Sequence, residues 1–172
     1  MCGFVGFINF GNNELLHHAT KLIEHRGPDN QTVYWDSYAN TGLGHRRLSI
    51  IDLSEDSNQP FWSDDKNLVI AYNGEIFNYL EIKEELYGKG ITFRTNSDTE
   101  VLLKGYEYFG EHILDKINGM FSFVIYDKNT RKVFAARDHL GIKPFYFYQR
   151  NDVLIVASEI KSILASLDHV EP

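Results

Sequence analysis

Met1-Cys2-Gly3-Phe4-Val5-Gly6-Phe7-Ile8-Asn9-Phe10 opens the chain, and the reading of this stretch decides the fold. From Gly3 to Phe10 it is short, apolar and glycine-bearing, the pattern of a buried strand. A strand buried at the extreme N-terminus fixes the backbone of Cys2, the only cysteine in the chain. Removal of Met1 would leave one residue carrying both a thiol and a free α-amine. A thiol titrates near about 8.5 and an α-amine near about 7.7–8.0, so the amine can serve as a base near neutral pH. Such a nucleophile carries its own proton acceptor, the logic of N-terminal threonine nucleophiles. The ordinary alternative is a cysteine placed by accident in a frayed terminus.

Working outward, 172 residues suffice for one full-sized core and are too few for two comfortable domains. Apolar residues make up 43% and aromatics 14%, which predicts a packed interior. A formal net charge of −7 excludes nonspecific binding to nucleic acid or anionic membrane, since both need a basic face. One cysteine excludes a disulfide framework and a multi-thiolate zinc site. The start lacks a basic n-region and an apolar h-region, and no apolar run is long enough for a membrane span. The expected location is therefore a reducing, cytoplasmic compartment.

Helices are expected over Glu14–His25, Ile76–Tyr87, Ser97 to about Phe109, and Glu159–Ala165. Strands are expected over Thr32–Asp36, Thr41–Asp52, Asn67–Tyr72, Met120–Tyr126, Lys132–Ala136, Phe145–Gln149 and Val153–Ala157. Strands throughout, with helices concentrated earlier, predict an α+β fold whose sheets are covered by helices. Residues 1–165 read as one domain and 166–172 as the start of a connection.

Three segments combine with Cys2. His45-Arg46-Arg47-Leu48-Ser49-Ile50-Ile51-Asp52 is either a strand with solvated arginines or one that aims a guanidinium into a cleft to grip a carboxylate bidentately. Leu68 to Ile76 contains Asn73-Gly74, ordinarily a hairpin turn. The helical pattern that follows weakens the hairpin. A strand ending there can offer the Asn73 amide and the Gly74 N–H as an oxyanion hole. Ser97-Asp98-Thr99-Glu100 matches a capping box, with Ser97 at the N-cap and Glu100 at N3. Asp98 has no duty in that box and is available for a ligand cation.

Together these parts suit an α-amino acid. Arg47 could hold its carboxylate, Asp98 or Glu75 its ammonium, and its side-chain amide would then reach Cys2 past Asn73 and Gly74. The chemistry this arrangement describes is glutamine amide hydrolysis. His17-His18 have no partner at metal-ligand spacing, so no metal site is expected. Gly3-x-x-Gly6 lacks the third glycine of a dinucleotide fingerprint.

The chain resembles the N-terminal glutaminase domain of glutamine-hydrolysing asparagine synthetases, which are class II glutamine amidotransferases. The resemblance rests on Met1-Cys2-Gly3, His25-Arg26-Gly27-Pro28-Asp29, Arg47 to Asp52, Asn73 to Asn78, Ser97 to Glu100, Gly119 to Phe123, Arg137 to Pro144, and Ala157 to Lys161. It implies an N-terminal nucleophile hydrolase fold, a four-layer α/β/β/α sandwich of two antiparallel sheets. It also implies loss of Met1, attack by Cys2 on the glutamine carboxamide, and an oxyanion held by Asn73 and Gly74. Arg47 would take the substrate carboxylate, and Asp98 with Glu75 the ammonium. The backbone of Leu48, Ser49, Ile50 and Ile51 would line the pocket. Phe77 stands where the family often has Tyr, which touches none of these roles.

The resemblance further implies that the ammonia passes to an ATP-dependent, amide-forming synthetase domain outside these 172 residues, with 166–172 beginning the linker to it. No cofactor is expected in this domain, ATP and Mg belonging to the synthetase part. The expected partners are L-glutamine and that synthetase domain or subunit, with a homodimer left open. Two other readings stand beside it. One is a glutaminase serving another acceptor, such as a sugar acid or a cofactor precursor; the other is a noncatalytic glutamine-sensing module.

Overall fold

A computed structural model of the chain describes residues 1–48 and 55–167. The expected contributions of Ser49, Ile50 and Ile51, and the connection from residue 168 onward, lie outside the described residues. The N-terminal stretch is a strand, β1 (Gly3–Ile8), and every residue in it is buried. It is the middle strand of a five-stranded antiparallel sheet ordered β2-β3-β1-β9-β8. The other members are β2 (Asn30–Asp36), β3 (Thr41–Arg47), β8 (Tyr146–Arg150) and β9 (Val153–Ala157). A second antiparallel sheet is ordered β4-β5-β6-β7, from β4 (Phe61–Trp62), β5 (Leu68–Ile76), β6 (Gly119–Asp127) and β7 (Lys132–Arg137).

The side-chain alternation of these strands builds the layers. Phe4 of β1 meets Leu43, Val69, Ala71, Val124 and Val156 in a core between the two sheets. Its neighbours Val5 and Phe7 face the other way, onto Leu16 and Ala19 of α1 (Asn13–Lys21) and Ile163 of α4 (Ile160–Leu167). On the far side, Ile70, Tyr72 and Ile76 pack against α2 (Tyr79–Tyr87) and α3 (Asp98–Phe109) through Ile82, Leu86 and Leu102. The order of layers is helices, sheet, sheet, helices, as expected.

The differences from the sequence reading are local. The first helix stops at Lys21, and the chain tightens into a separate 3-10 turn over Glu24–Arg26. The second helix begins at Tyr79 rather than Ile76, because β5 runs on through Asn73 and Gly74 to Ile76. Unbroken pairing with β6, from Leu68↔Asp127 to Ile76↔Gly119, carries the strand across the dipeptide that would otherwise mark a turn. The closing helix reaches Leu167, which packs against the core under α1. No helix among the described residues is long and apolar enough to cross a membrane.

Candidate active site

Strand alternation decides which side chains can meet. Cys2 directly precedes β1 and shares the parity of Phe4, which faces the layer between the sheets. On the adjacent strand His45 pairs with Phe4, so His45 and Arg47 face that layer while Arg46 faces away. The contacts agree. Arg46 reaches Glu24 at 3.1 Å and Gln31 at 2.9 Å, whereas the buried Arg47 donates from Nη1 to Asn58 Oδ1 at 2.7 Å. Arg47 is thus the guanidinium on the cleft.

An open cleft of about 550 Å3, solvent space at its mouth included, is lined by Cys2, Arg47, Leu48, Gly74, Glu75 and Asp98. These are all expected site residues. Tyr72, Ser57, Gln59, Ser97 and Thr99 complete the wall.

Cys2 is half-buried, and its sulfur lies 3.4 Å from Leu48 N and 3.5 Å from Leu48 O. Burial pushes its thiol above the ordinary range. The Leu48 hydrogen bond, the N-terminal ammonium and Arg47 pull it back, and Asp98 adds to the rise. Its carbonyl accepts from Arg26 Nε at 3.0 Å, and Arg26 also reaches Glu159 at 3.3 Å. Arg26 therefore clamps the backbone of the candidate nucleophile. In the sequence Arg26 stands out only as a member of the His25-Arg26-Gly27-Pro28-Asp29 motif.

The other wall is the edge of β5. Beside Gly74, Phe121 of β6 spends its N–H on Asp138 Oδ2 at 3.2 Å and its carbonyl on Asp138 N at 2.8 Å. Gly74 and Phe121 are therefore a non-hydrogen-bonded pair, and the Gly74 N–H points to the opposite edge. Among the described residues no strand covers that edge at Gly74, because β4 pairs only with Val69 and Ile70. Along it Tyr72 N donates to Gln59 Oε1 at 2.7 Å and Ile76 N donates to Asp98 Oδ2 at 3.1 Å. The Gly74 N–H lies between them, facing the cleft that Gly74 lines.

Asn73 has the parity of Val69 and Ala71 and faces the layer between the sheets, as Cys2 does. It is buried, and its Nδ2 has no hydrogen-bond partner among the described residues. A buried donor without a partner costs roughly 1–3 kcal/mol, so a protein that keeps one has a use for it. Asn73 does not itself line the cleft; it directly precedes Gly74, which does.

Asp98 is 4% exposed at the start of α3, where Ser97 caps the helix by accepting from Thr99 N at 3.1 Å. The capping box is only half made. Glu100 turns outward from the helix to accept from Arg94 N, Thr95 N and Thr95 Oγ1. It fastens the preceding loop instead of reaching back to Ser97. Asp98 is not idle either: its Oδ2 accepts from Tyr72 OH at 2.6 Å and from Ile76 N. Burial raises the Asp98 carboxyl above its usual range, and those hydrogen bonds oppose the rise. Glu75 is exposed at the cleft mouth. No group of three or more His, Cys, Asp or Glu side chains suited to a metal ion occurs among the described residues.

The signals for the missed residues were uneven. Tyr72 immediately precedes Asn73, and Arg26 lies in a quoted motif. Ser57 and Gln59 sit in a connection with no periodicity to read.

A family model described as "Glutamine amidotransferase domain" matches residues 1–171. The chain is 44% identical over 178 residues to asparagine synthetase [glutamine-hydrolyzing] 1 of Bacillus subtilis, covering 99% of this chain and 28% of that protein. It is 41% identical over 146 residues to asparagine synthetase B [glutamine-hydrolyzing] of Escherichia coli, covering 84% of this chain and 26% of that protein. The chain thus spans under a third of these relatives' length. In fold it is similar to the solved glutamine phosphoribosylpyrophosphate amidotransferase of B. subtilis, with a TM-score of 0.82 at 21% identity over 96% of this chain and 43% of that one. The architecture is that of the N-terminal nucleophile hydrolase-like amidotransferases.

Proposed function

The chain belongs to the glutamine amidotransferase domain family, and from that premise we propose that it hydrolyses L-glutamine to glutamate and ammonia through a thioester on Cys2. Cys2 Sγ adds to the side-chain amide carbon, and the carbonyl oxygen becomes an oxyanion that the Gly74 N–H would hold, joined by Asn73 Nδ2 once that side chain turns toward the cleft. Collapse of that intermediate expels ammonia, which takes up the proton that the thiol gave up. Water then cleaves the thioester, releasing glutamate and restoring the thiol. Burial holds the thiol proton on, so attack needs a base. The α-amine of Cys2 supplies it once Met1 is removed; with Met1 attached, that nitrogen is an amide and no base.

The observation that carries this reading is a cleft lined by both Cys2 and Gly74, whose N–H turns to the strand edge, with the unpartnered Asn73 Nδ2 next along the strand. Preorganised donors aimed where charge develops are each worth roughly 10²–10³ in kcat. Arg47 would grip the substrate carboxylate, with the backbone of Leu48, Ser49, Ile50 and Ile51 beside it. Asp98, with Glu75 at the mouth, would take the ammonium.

The ammonia would go to an ATP-dependent amide-forming domain, following the names of the relatives. ATP and Mg belong to that domain, and glutamine hydrolysis itself calls for no cofactor. A reducing, cytoplasmic setting suits a reactive thiol. The test is intact mass together with ammonia release. A mature chain that begins at Cys2 and releases ammonia from glutamine, with Cys2→Ala inert, is the expected result. Retained Met1 with glutamine bound and no ammonia released would overturn it in favour of a sensing module.

A further inference from the structure

Tyr72 is buried on the cleft and held at its N–H, its carbonyl and its hydroxyl, and the proposed chemistry leaves it without a task. It is 3% exposed, its N–H is held by Gln59 Oε1 at 2.7 Å, and its carbonyl accepts from His45 Nε2 at 3.0 Å. Gln59 in turn donates to Thr99 Oγ1 at 3.2 Å, tying this point of β5 to the start of α3. The ring packs in the core under α3 with Ile70, Phe121 and Phe123. From that fixed base the phenol hydroxyl donates to Asp98 Oδ2 at 2.6 Å.

We propose that Tyr72 is the positioning residue that makes Asp98 a selective receptor for the α-ammonium group of the substrate. The proposal rests on the glutaminase reading above. Two donors from one strand, Tyr72 OH and Ile76 N, converge on the same carboxylate oxygen and so fix the plane of Asp98 relative to the cleft. Both donors are neutral. A Lys or Arg in that place would cancel the charge, whereas a phenol and a peptide N–H support the anion and leave its full charge for a ligand cation. The titratable and charged groups that share the cleft with this carboxylate among the described residues are Tyr72 and Glu75 on β5, Cys2 beside β1 and Arg47 on β3. Burial and Asp98 itself drive the Tyr72 hydroxyl well above its ordinary range, so it stays a donor at every working pH. Burial raises Asp98, and the Tyr72 hydrogen bond is the foremost opposing influence.

The experiment compares glutamine with glutaric acid monoamide, which keeps the carboxylate and the amide but lacks the α-ammonium. Tyr72→Phe removes one oxygen atom and keeps the packed ring. In Y72F, kcat/KM for glutamine falls about 10- to 100-fold, mainly through KM, as loss of a hydrogen bond to a charged group implies. For the monoamide it changes less than about 3-fold, so discrimination between the two collapses. The acidic limb of kcat/KM for glutamine moves to higher pH. On an Asp98→Asn background Y72F has no further effect on discrimination, which a general weakening of the fold would not reproduce. Equal losses on both substrates, an unmoved acidic limb, or additive effects with Asp98→Asn would overturn the proposal. A parent chain that hydrolyses neither compound counts against the glutaminase reading instead. The same discrimination is then read from calorimetric Kd values, where an unchanged ratio in Y72F counts against Tyr72 alone.

Discussion

Asn73 and Gly74 are neighbours with opposite relations to the fold. The Asn73 amide has no partner for Nδ2, so truncating it removes a candidate oxyanion donor and relieves an orphaned group. Asn73→Ala is expected to lower kcat for ammonia release about 10²- to 10³-fold while shifting the unfolding free energy by less than about 1 kcal/mol. Steady-state kinetics and urea unfolding on one preparation check both halves, and a large stability loss with intact activity would make Asn73 a packing residue. At Gly74 a Cβ would lie 2.5 Å from Met120 O and 2.8 Å from Phe121 Cα, both backbone atoms of β6 that cannot move aside. Gly74→Ala should therefore cost about 1–3 kcal/mol of stability as well as activity. A Gly74→Ala chain with wild-type urea midpoint would show that β6 yields. The pair was visible in the sequence as Asn-Gly, but its ordinary meaning is a turn. Only the pairing of β5 with β6, contributed from far along the chain, keeps it in a strand.

Two elements meet at the cleft, the edge of β5 and the N-terminus of α3, and their anchors differ in kind. Ser97 supplies a single capping bond to Thr99 N, so Ser97→Ala should cost about 1 kcal/mol. Glu100 is fully buried and accepts from two backbone N–H groups and a hydroxyl of the preceding loop. Its removal leaves those donors without a partner, and Glu100→Ala should cost about 3 kcal/mol or more. Thermal or urea unfolding of the two variants ranks them, and equal losses would mean that the loop over Arg94 and Thr95 finds other partners. The spacing Ser-x-x-Glu announced a helix start correctly and assigned Glu100 the wrong partner. A capping box is a local pattern, whereas the loop that Glu100 holds is placed by β4 and β5, where Arg94 reaches Trp62 O at 2.6 Å. The same limit explains Tyr72. Nothing in Ala71-Tyr72-Asn73 says that the phenol will meet Asp98, because that contact depends on how α3 lies across β5. Strand parity, by contrast, is strictly local. Once β1 and β3 were paired, it separated Arg47 from Arg46, which the sequence pattern alone had left undivided.

At the scale of the molecule, the two sheets close on each other around polar groups that a fully apolar sandwich would exclude, and this makes stability sensitive to acid. His45 projects from β3 across the layer to the Tyr72 carbonyl of β5, with its ring wholly buried. Burial lowers its pKa from 6.5 to about 4, the Tyr72 contact opposes that fall, and Arg47 adds to it. Between those two values the unfolded chain binds a proton that the folded chain refuses, so stability rises with pH across this window. On acidification from 6.5 to below 4 the group should withdraw about 3 kcal/mol in all. Asp98 works in the other direction. Its folded pKa lies above 3.8, so the folded chain is the better proton binder just above that value, and acid relieves part of the burial penalty. The net decline should therefore be steepest between about pH 6.5 and the range where Asp98 begins to protonate. His45→Gln keeps an amide donor near the position of Nε2 and removes the titration. Urea midpoints between pH 7 and 4 should fall clearly for the parent chain and less for His45→Gln, whose remaining fall comes from carboxyls held below their usual range, such as Asp138 and Glu159. Parallel slopes would assign the acid sensitivity to the carboxylates, and the bond between the sheets at His45 would then be only structural.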